Sequence, residues 1–277
     1  LKPKASIIIA LLLTLTVPVF PAQDKIEYLA LGDSIAFGFD RGALPIASNY
    51  TGYPEIVAQK ANKQFDGLVN LSCPGETSGT FISTTAPAPR ENCQAFKAGV
   101  GLHTNYSGPQ MDFAIQLLRS TPQIKLVTID IGGNDLIMLQ ENCLGQPACI
   151  LGQLPATLAT YQANLRTIFR RIREEGRYNG RMILVTTYSP DYRDPLQVAG
   201  VGAMNAAALP AAILYKVAIA DGFGAFAAAS LPFGGNVCAA GLLLPGVPPN
   251  PTCDQHPSPK GRDLLADTVL RLLPGTK

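Results

Sequence analysis

The sequence predicts an α/β fold: a parallel sheet of about five strands with helices on both faces. Three observations lead there. Short apolar runs alternate with amphipathic stretches of helical spacing. Two of those runs stop at glycine followed by polar residues, Gly32-Asp33-Ser34 and Gly132-Gly133-Asn134-Asp135, as a chain does when it leaves a buried strand. Finally, 277 residues with 47% hydrophobic and 15% charged content can fill a large core and do not suit disorder.

Taken in order, Ile26 to Leu31 reads as the first buried strand, and a loop rich in Gly, Asn and Tyr follows. Tyr53 to Lys63 reads as a helix, with Pro54 in its first turn. Leu68 to Leu71 is a short second strand. An irregular stretch dense in Thr, Pro and Gly runs from there to about Gly108, and loops that long are usually functional or disordered. Pro109 to Arg119 places Met111, Ala114, Ile115 and Leu118 on one helical face. Ile124 to Ile131 is the strongest strand. Asp130 within it must either meet a buried partner or mark an early end. A short loop containing two cysteines follows, then a helix from Thr157 to Glu175 and a strand from Met182 to Thr187. Ala203 to Ala220 reads as helix, Gly224 to Ala228 as a weak fifth strand, and Leu231 to Thr252 as a Pro/Gly/Leu loop. A helix from Ser258 to Leu273 closes the chain. No composition break divides residues 23–277, which are expected to form one domain.

Composition narrows the function classes. The net charge of +2 comes with no basic cluster of nucleic-acid type. Arg166, Arg170, Arg171 and Arg173 fit the solvated face of a helix. Residues 1–22 read as a secretory signal: Lys2 and Lys4, then an apolar centre of about 11 residues, shorter than the roughly 20 of a membrane span. A secreted protein without a stable membrane anchor is therefore expected, and a monomer. Six cysteines behind an export signal suggest disulfides. The pairing that closes only local loops is favoured: Cys73–Cys93, Cys143–Cys149 and Cys238–Cys253. The cysteines lack zinc-ligand spacing and the chain has two histidines, so neither metal nor cofactor is expected.

Three polar clusters fall at the ends of three consecutive strands, around Ser34, Gly75 and Asn134. In a parallel sheet these ends share one edge, where open α/β sheets hold their ligands. A fourth cluster, Cys253-Asp254-Gln255-His256-Pro257, precedes the last helix. A serine needs a base to become a nucleophile, and histidine suits that work near neutral pH. The backbone N–H groups of Ser34 and Gly75 and the Asn134 amide could then face a developing oxyanion. The plain alternatives are helix caps and turns at Ser34, Asn134 and His256. Asp33 and Asp135 read as turn and cap supports. His103 reads as a surface residue, with substrate contact the other option.

Gly32-Asp33-Ser34, Asn70 through Gly75, Gly132-Gly133-Asn134-Asp135 and His256-Pro257 occur in an order that resembles the SGNH (GDSL) hydrolases, across about residues 28–272. The resemblance implies a flavodoxin-like three-layer fold. It implies ester hydrolysis with Ser34 as nucleophile, His256 as base, and Ser34, Gly75 and Asn134 as oxyanion donors. One departure stands out. The family's usual aspartate three residues before the histidine is replaced by Cys253, and Asp254 lies only two before. Either the Asp254 carboxylate or a main-chain carbonyl of Cys253 or Asp254 would orient the imidazole. Leu231, Phe233, Leu242, Leu243, Leu244, Pro245 and Val247 precede His256 and could line an acyl-chain wall or simply pack. A small-molecule or lipid ester is the expected substrate. A carbohydrate acetylesterase is the nearest rival, though the chain has no tryptophan for sugar stacking. A secreted binding module without activity is the rival of another class.

Overall fold

A computed structural model describes residues 27–61, 64–246 and 252–275. The expected signal segment and Val247 lie outside the described residues. Five strands form one sheet: β1 (Tyr28–Gly32), β2 (Leu68–Asn70), β3 (Leu126–Asp130), β4 (Arg181–Val185) and β5 (Val217–Ala220). Their order is β2-β1-β3-β4-β5, and every pairing is parallel. Successive strands therefore need crossovers, which helices supply. These are α1 (Ser34–Phe37), α2 (Tyr53–Lys60), α3 (Cys93–Gly99), α4 (Gln110–Ser120), α5 (Gly133–Asn142), α6 (Pro147–Glu174), α7 (Pro195–Leu214), α8 (Gly222–Ser230) and α9 (Pro259–Leu270).

Strand side chains alternate between two cores, as the two-residue period of a strand requires. Leu29, Leu31, Val127, Ile129, Met182 and Leu184 face α4, α6 and α7. Tyr28, Ala30, Leu126, Ile183 and Val185 face α2, α8 and α9. The result is the three-layer arrangement the sequence predicts. The strand order reverses direction between β1 and β3, so a crevice opens beside their carboxyl ends. Ser34 follows β1 and Asn134 follows β3, which puts both at that switch point.

Several boundaries differ from expectation. The expected helix Ala203–Ala220 is a helix from Pro195 followed by a strand. Asp194 caps α7 by accepting from the Leu196 and Gln197 N–H groups. The chain then turns at Lys216, at φ 54°, and enters β5. The expected strand Gly224–Ala228 is the middle of α8, whose start is capped by Asp221 accepting from Gly224 N at 2.8 Å. Its alanines favour helix, and a short apolar run does not separate the two states. The helix expected from Thr157 begins at Pro147 and spans 28 residues. The irregular stretch before Gly108 contains α3, capped by Asn92. Asp130 satisfies both expectations at once: β3 ends there, and its carboxyl is buried against that of Asp33. Arg173 is half-buried rather than fully solvated. It donates to the carbonyls of Tyr178, Gly180, Tyr215 and Lys216, tying α6 to the approaches of β4 and β5.

Candidate active site

The turn after β1 sets the position of Ser34. Gly32 has φ 143°, and a Cβ there would lie 2.1 Å from Asp130 Oδ1, so β3 closes against bare backbone. Gln110 clamps the same glycine, accepting from its N–H at 2.7 Å and donating to its carbonyl at 2.9 Å. Asp33 then caps α1 through Ile35 N at 2.9 Å. Ser34 is the first residue of that short helix and is largely buried.

His256 comes to this serine from the other end of the chain, with Nε2 2.9 Å from Ser34 Oγ. The segment carrying it is strapped on. Residues 242–244 run antiparallel to 254–258: Leu244 N donates to His256 O, Asp254 N to Leu244 O and Ser258 N to Leu242 O, each at 2.9 Å. Cys238 and Cys253 are joined in a disulfide beside this strap. Tyr188 Oη donates to Gln255 O at 2.6 Å from the loop after β4. The three leucines are therefore mainly packing: Leu242, Leu243 and Leu244 are buried, and Leu243 alone of them borders the crevice. Leu231 and Phe233 are exposed in a 3-10 turn, so of the two readings of this loop its described residues favour packing, with Leu243 at the crevice.

The Asp254 carboxylate, rather than a main-chain carbonyl, lies against His256 Nδ1. Its other oxygen meets Arg41 Nε at 3.1 Å, and Arg41 also pairs with Glu91 at 2.5 Å. Burial would raise the Asp254 carboxyl, but the bond to and charge of His256, with Arg41, hold it below the usual range. Phe39 covers the imidazole edge-on at a centroid distance of 5.0 Å.

On the other side of Ser34, Gly75 has φ 77°, and a Cβ would lie 2.4 Å from Glu91 O. The Cys73–Cys93 disulfide holds these two loop strands together. The N–H groups of Ser34 and Gly75 have no hydrogen-bond partner among the described residues. Asn134 Nδ2 donates to Glu76 O at 2.9 Å and to Asp33 Oδ2 at 3.2 Å. Burial first, then Asp135, pushes the Asp33 carboxyl up to about 6; Ile35 N–H, Asp130 and His256 pull the other way. Asp130, fully enclosed beside Asp33, is pushed up further by burial and by the Asp33 charge. Both carboxyls of the pair are thus held above the usual carboxylate range, chiefly by burial. Asp135 supports the adjoining loop, accepting from Ser78 N and Ser78 Oγ at 2.9 and 2.6 Å. His103 is half-buried and lies outside the crevice: its Nε2 contacts Phe37 O at 3.0 Å and its ring packs on Phe37.

A cavity of about 770 Å³ opens from Ser34 and His256. Its apolar lining comes from Leu136 and Ile137 on α5, Ile150 and Leu154 on α6, and Leu196 and Val201 on α7. The Cys143–Cys149 disulfide closes the α5–α6 turn. The sulfurs of Cys73 and Cys93 approach Glu76 closely enough to suggest a metal cluster, but they are bonded to each other.

A parallel sheet with serine, imidazole and carboxylate in series at its switch point is the architecture of a serine-type ester hydrolase. The chain belongs to the GDSL-like lipase/acylhydrolase family, whose model matches residues 30–264, and is a carboxylic ester hydrolase. No curated protein sequence matches it significantly. Its fold is similar to that of phospholipase A1 from Streptomyces albidoflavus NA297, at 17% identity, a TM-score of 0.58 and coverage of 91% of this chain and 100% of that one. A lipase from a goat rumen metagenome gives 15%, 0.56, 91% and 98%. An acetylxylan esterase from Geobacillus stearothermophilus gives 20%, 0.53, 89% and 93%.

Arg41, Gln110, the partner of Asp130 and the α5–α7 lining were not found by sequence reasoning. Arg41 and Gln110 sit in no recognisable motif. The lining residues are spaced like any core-facing helix stripe. Asp130 did carry a signal, a charge inside the strongest apolar run.

Proposed function

We propose that Ser34 is the nucleophile of an esterase acting on acyl-chain esters, with His256 as general base and Asp254 as the group that orients and stabilises the imidazole. The 2.9 Å contact between Ser34 Oγ and His256 Nε2, with Asp254 on the far ring nitrogen, carries this reading. His256 takes the Ser34 proton as Oγ bonds to the ester carbon. The tetrahedral oxyanion is met by the Ser34 and Gly75 N–H groups and by Asn134. The C–O bond to the alcohol breaks, and the imidazole gives its proton to the departing oxygen. Water, deprotonated by the same imidazole, then frees the acid from acyl-Ser34. Asn134 can turn toward an oxyanion by giving up its longer contact, the one to Asp33.

The apolar cavity between α5, α6 and α7 supports a medium acyl chain as the acid part, since pockets of this size and lining hold apolar ligands. Export is supported by the apolar segment in residues 1–22 and by the pairing of all six cysteines.

Fluorophosphonate labelling followed by peptide mass analysis tests the nucleophile; a label elsewhere than Ser34, or none, refutes it. A p-nitrophenyl ester series tests the acid part. The expected optimum is a chain of about six to ten carbons. A preference for acetylated xylan over octanoate would refute the acyl-chain reading and favour the carbohydrate acetylesterase.

A further inference from the structure

The tip of the α5–α6 hairpin has features that ester hydrolysis alone does not use. From Asn142 to Leu165 the chain carries no Asp, Glu, Lys, Arg or His. Helix α6, at 28 residues, is about 42 Å long. The five-residue strands beside it are about 17 Å long. Its buried residues begin only at Tyr161, so its first half overhangs the carboxyl edge of the sheet. On the overhang Ile150 and Leu154 turn toward the cavity, while Leu151 is 55% exposed. Leu144, at the turn before it, is 85% exposed.

Leu144 is held there at a cost. Its φ is 50°, a left-handed conformation that bulky residues rarely adopt. The turn around it is rigid: Leu144 N donates to Glu141 O, Gly145 N to Gln140 O and Gln146 N to Cys143 O. The Cys143–Cys149 disulfide spans the same turn. An apolar side chain is thus fixed in water by a hydrogen-bonded, cross-linked loop. Gly145, its neighbour, borders the cavity. The charged residues on the cavity's opposite side include Asp191 and Arg193, which neutralise each other at 2.7 Å.

From this geometry we propose that the hairpin tip docks the protein on a lipid surface, with Leu144 and Leu151 entering the acyl region beside the cavity mouth. The occupant is the surface of aggregated lipid. From Asn142 onward the tip carries no basic side chain to meet an anionic headgroup and no acidic one beyond Glu141 at its base, so its outermost surface is uncharged. Its outer leucines are continuous with the apolar lining of the cavity. An acyl chain could then pass from the lipid layer to Ser34 without crossing water. This inference rests on the acyl-ester reading above. The uncharged tip predicts binding driven by apolar burial, insensitive to salt and to anionic lipid.

The test compares the wild type with Leu144→Asn/Leu151→Gln. Asparagine accepts the left-handed turn and glutamine suits an exposed helix. Partitioning is measured on vesicles of diether phosphatidylcholine, which has no carboxylic ester to cleave, with and without phosphatidylglycerol. The wild type is expected to bind both vesicles alike at low and high salt. The double variant should bind about tenfold or more weakly, since two exposed leucines lose their apolar transfer. Its kcat/KM on soluble p-nitrophenyl butyrate should match the wild type's. Equal vesicle binding by the two proteins overturns docking, as does binding that needs phosphatidylglycerol, or a wild-type dimer that the substitutions dissociate. A wild type inert on butyrate refutes the esterase reading instead, so the two failures are separable.

Discussion

Glu76→Gln should stabilise this protein at neutral and alkaline pH and leave it unchanged in acid. Glu76 follows Gly75 and is buried, with Oε1 lacking a hydrogen-bond partner among the described residues. Its Oε2 accepts a long bond, 3.3 Å, from Gln110. Burial, aided by the Asp33 charge, pushes its carboxyl up to about 7; Thr80, Gln110 and Lys97 offset part of this. The gap from the ordinary value of 4.5 corresponds to about 3 kcal/mol. A carboxyl whose folded pKa is raised binds its proton more tightly when folded than when unfolded. Its contribution is intact below the unfolded value and is lost as pH rises through the folded one. Wild-type stability should therefore decline between about pH 4.5 and pH 7 and then level off on this account. Glutamine keeps the shape and an acceptor for Gln110 but has no charge to bury. Equilibrium urea denaturation at several pH values reads the difference. The variant should gain up to about 3 kcal/mol above neutrality, less whatever Lys97 loses with its partner, and nothing at acid pH. An identical pH slope in the two proteins would refute the claim that a buried carboxylate costs stability here.

Two further outcomes follow from the site. Asp254→Asn should lower kcat by about 10³–10⁴ with KM little changed, because an amide on Nδ1 admits the wrong tautomer; a near-normal rate would assign ring orientation to backbone alone. Gly32→Ala should cost roughly 1–3 kcal/mol in urea and slow fluorophosphonate labelling, since the new methyl meets Asp130 at a strained φ; wild-type stability would show that the β1 turn can relax.

What could be read from the sequence follows from which forces act locally. β1, β3 and β4 were legible because strands buried on both faces are continuous apolar runs. The sheet edge at β5 was not, because Val217–Ala220 and the alanines of α8 are equally apolar and the capping aspartates, Asp194 and Asp221, were not recognised as helix starts. The local cysteine pairing was legible because each pair brackets a stretch without periodicity. Ser34, Gly75 and Asn134 were legible as motifs at strand ends and His256 as one before the last helix, and the fold brings them to one edge. The Asp254 carboxylate on Nδ1 was left open, since a single intervening residue permits either geometry. Arg41 against Asp254 and Asp130 against Asp33 depend on chain segments meeting in space. The leucine run before His256 was left open because it looks the same whether it packs or lines a crevice; the backbone pairing of 242–244 with 254–258 favours packing.

The three cross-links each begin and end within one connection, and none bridges two distant parts of the sheet. Each cross-link therefore limits the slack of a single connection, and the hydrogen bonds between connections, such as Ser78 on Asp135 and Tyr188 on Gln255, are what make the rim act as one piece.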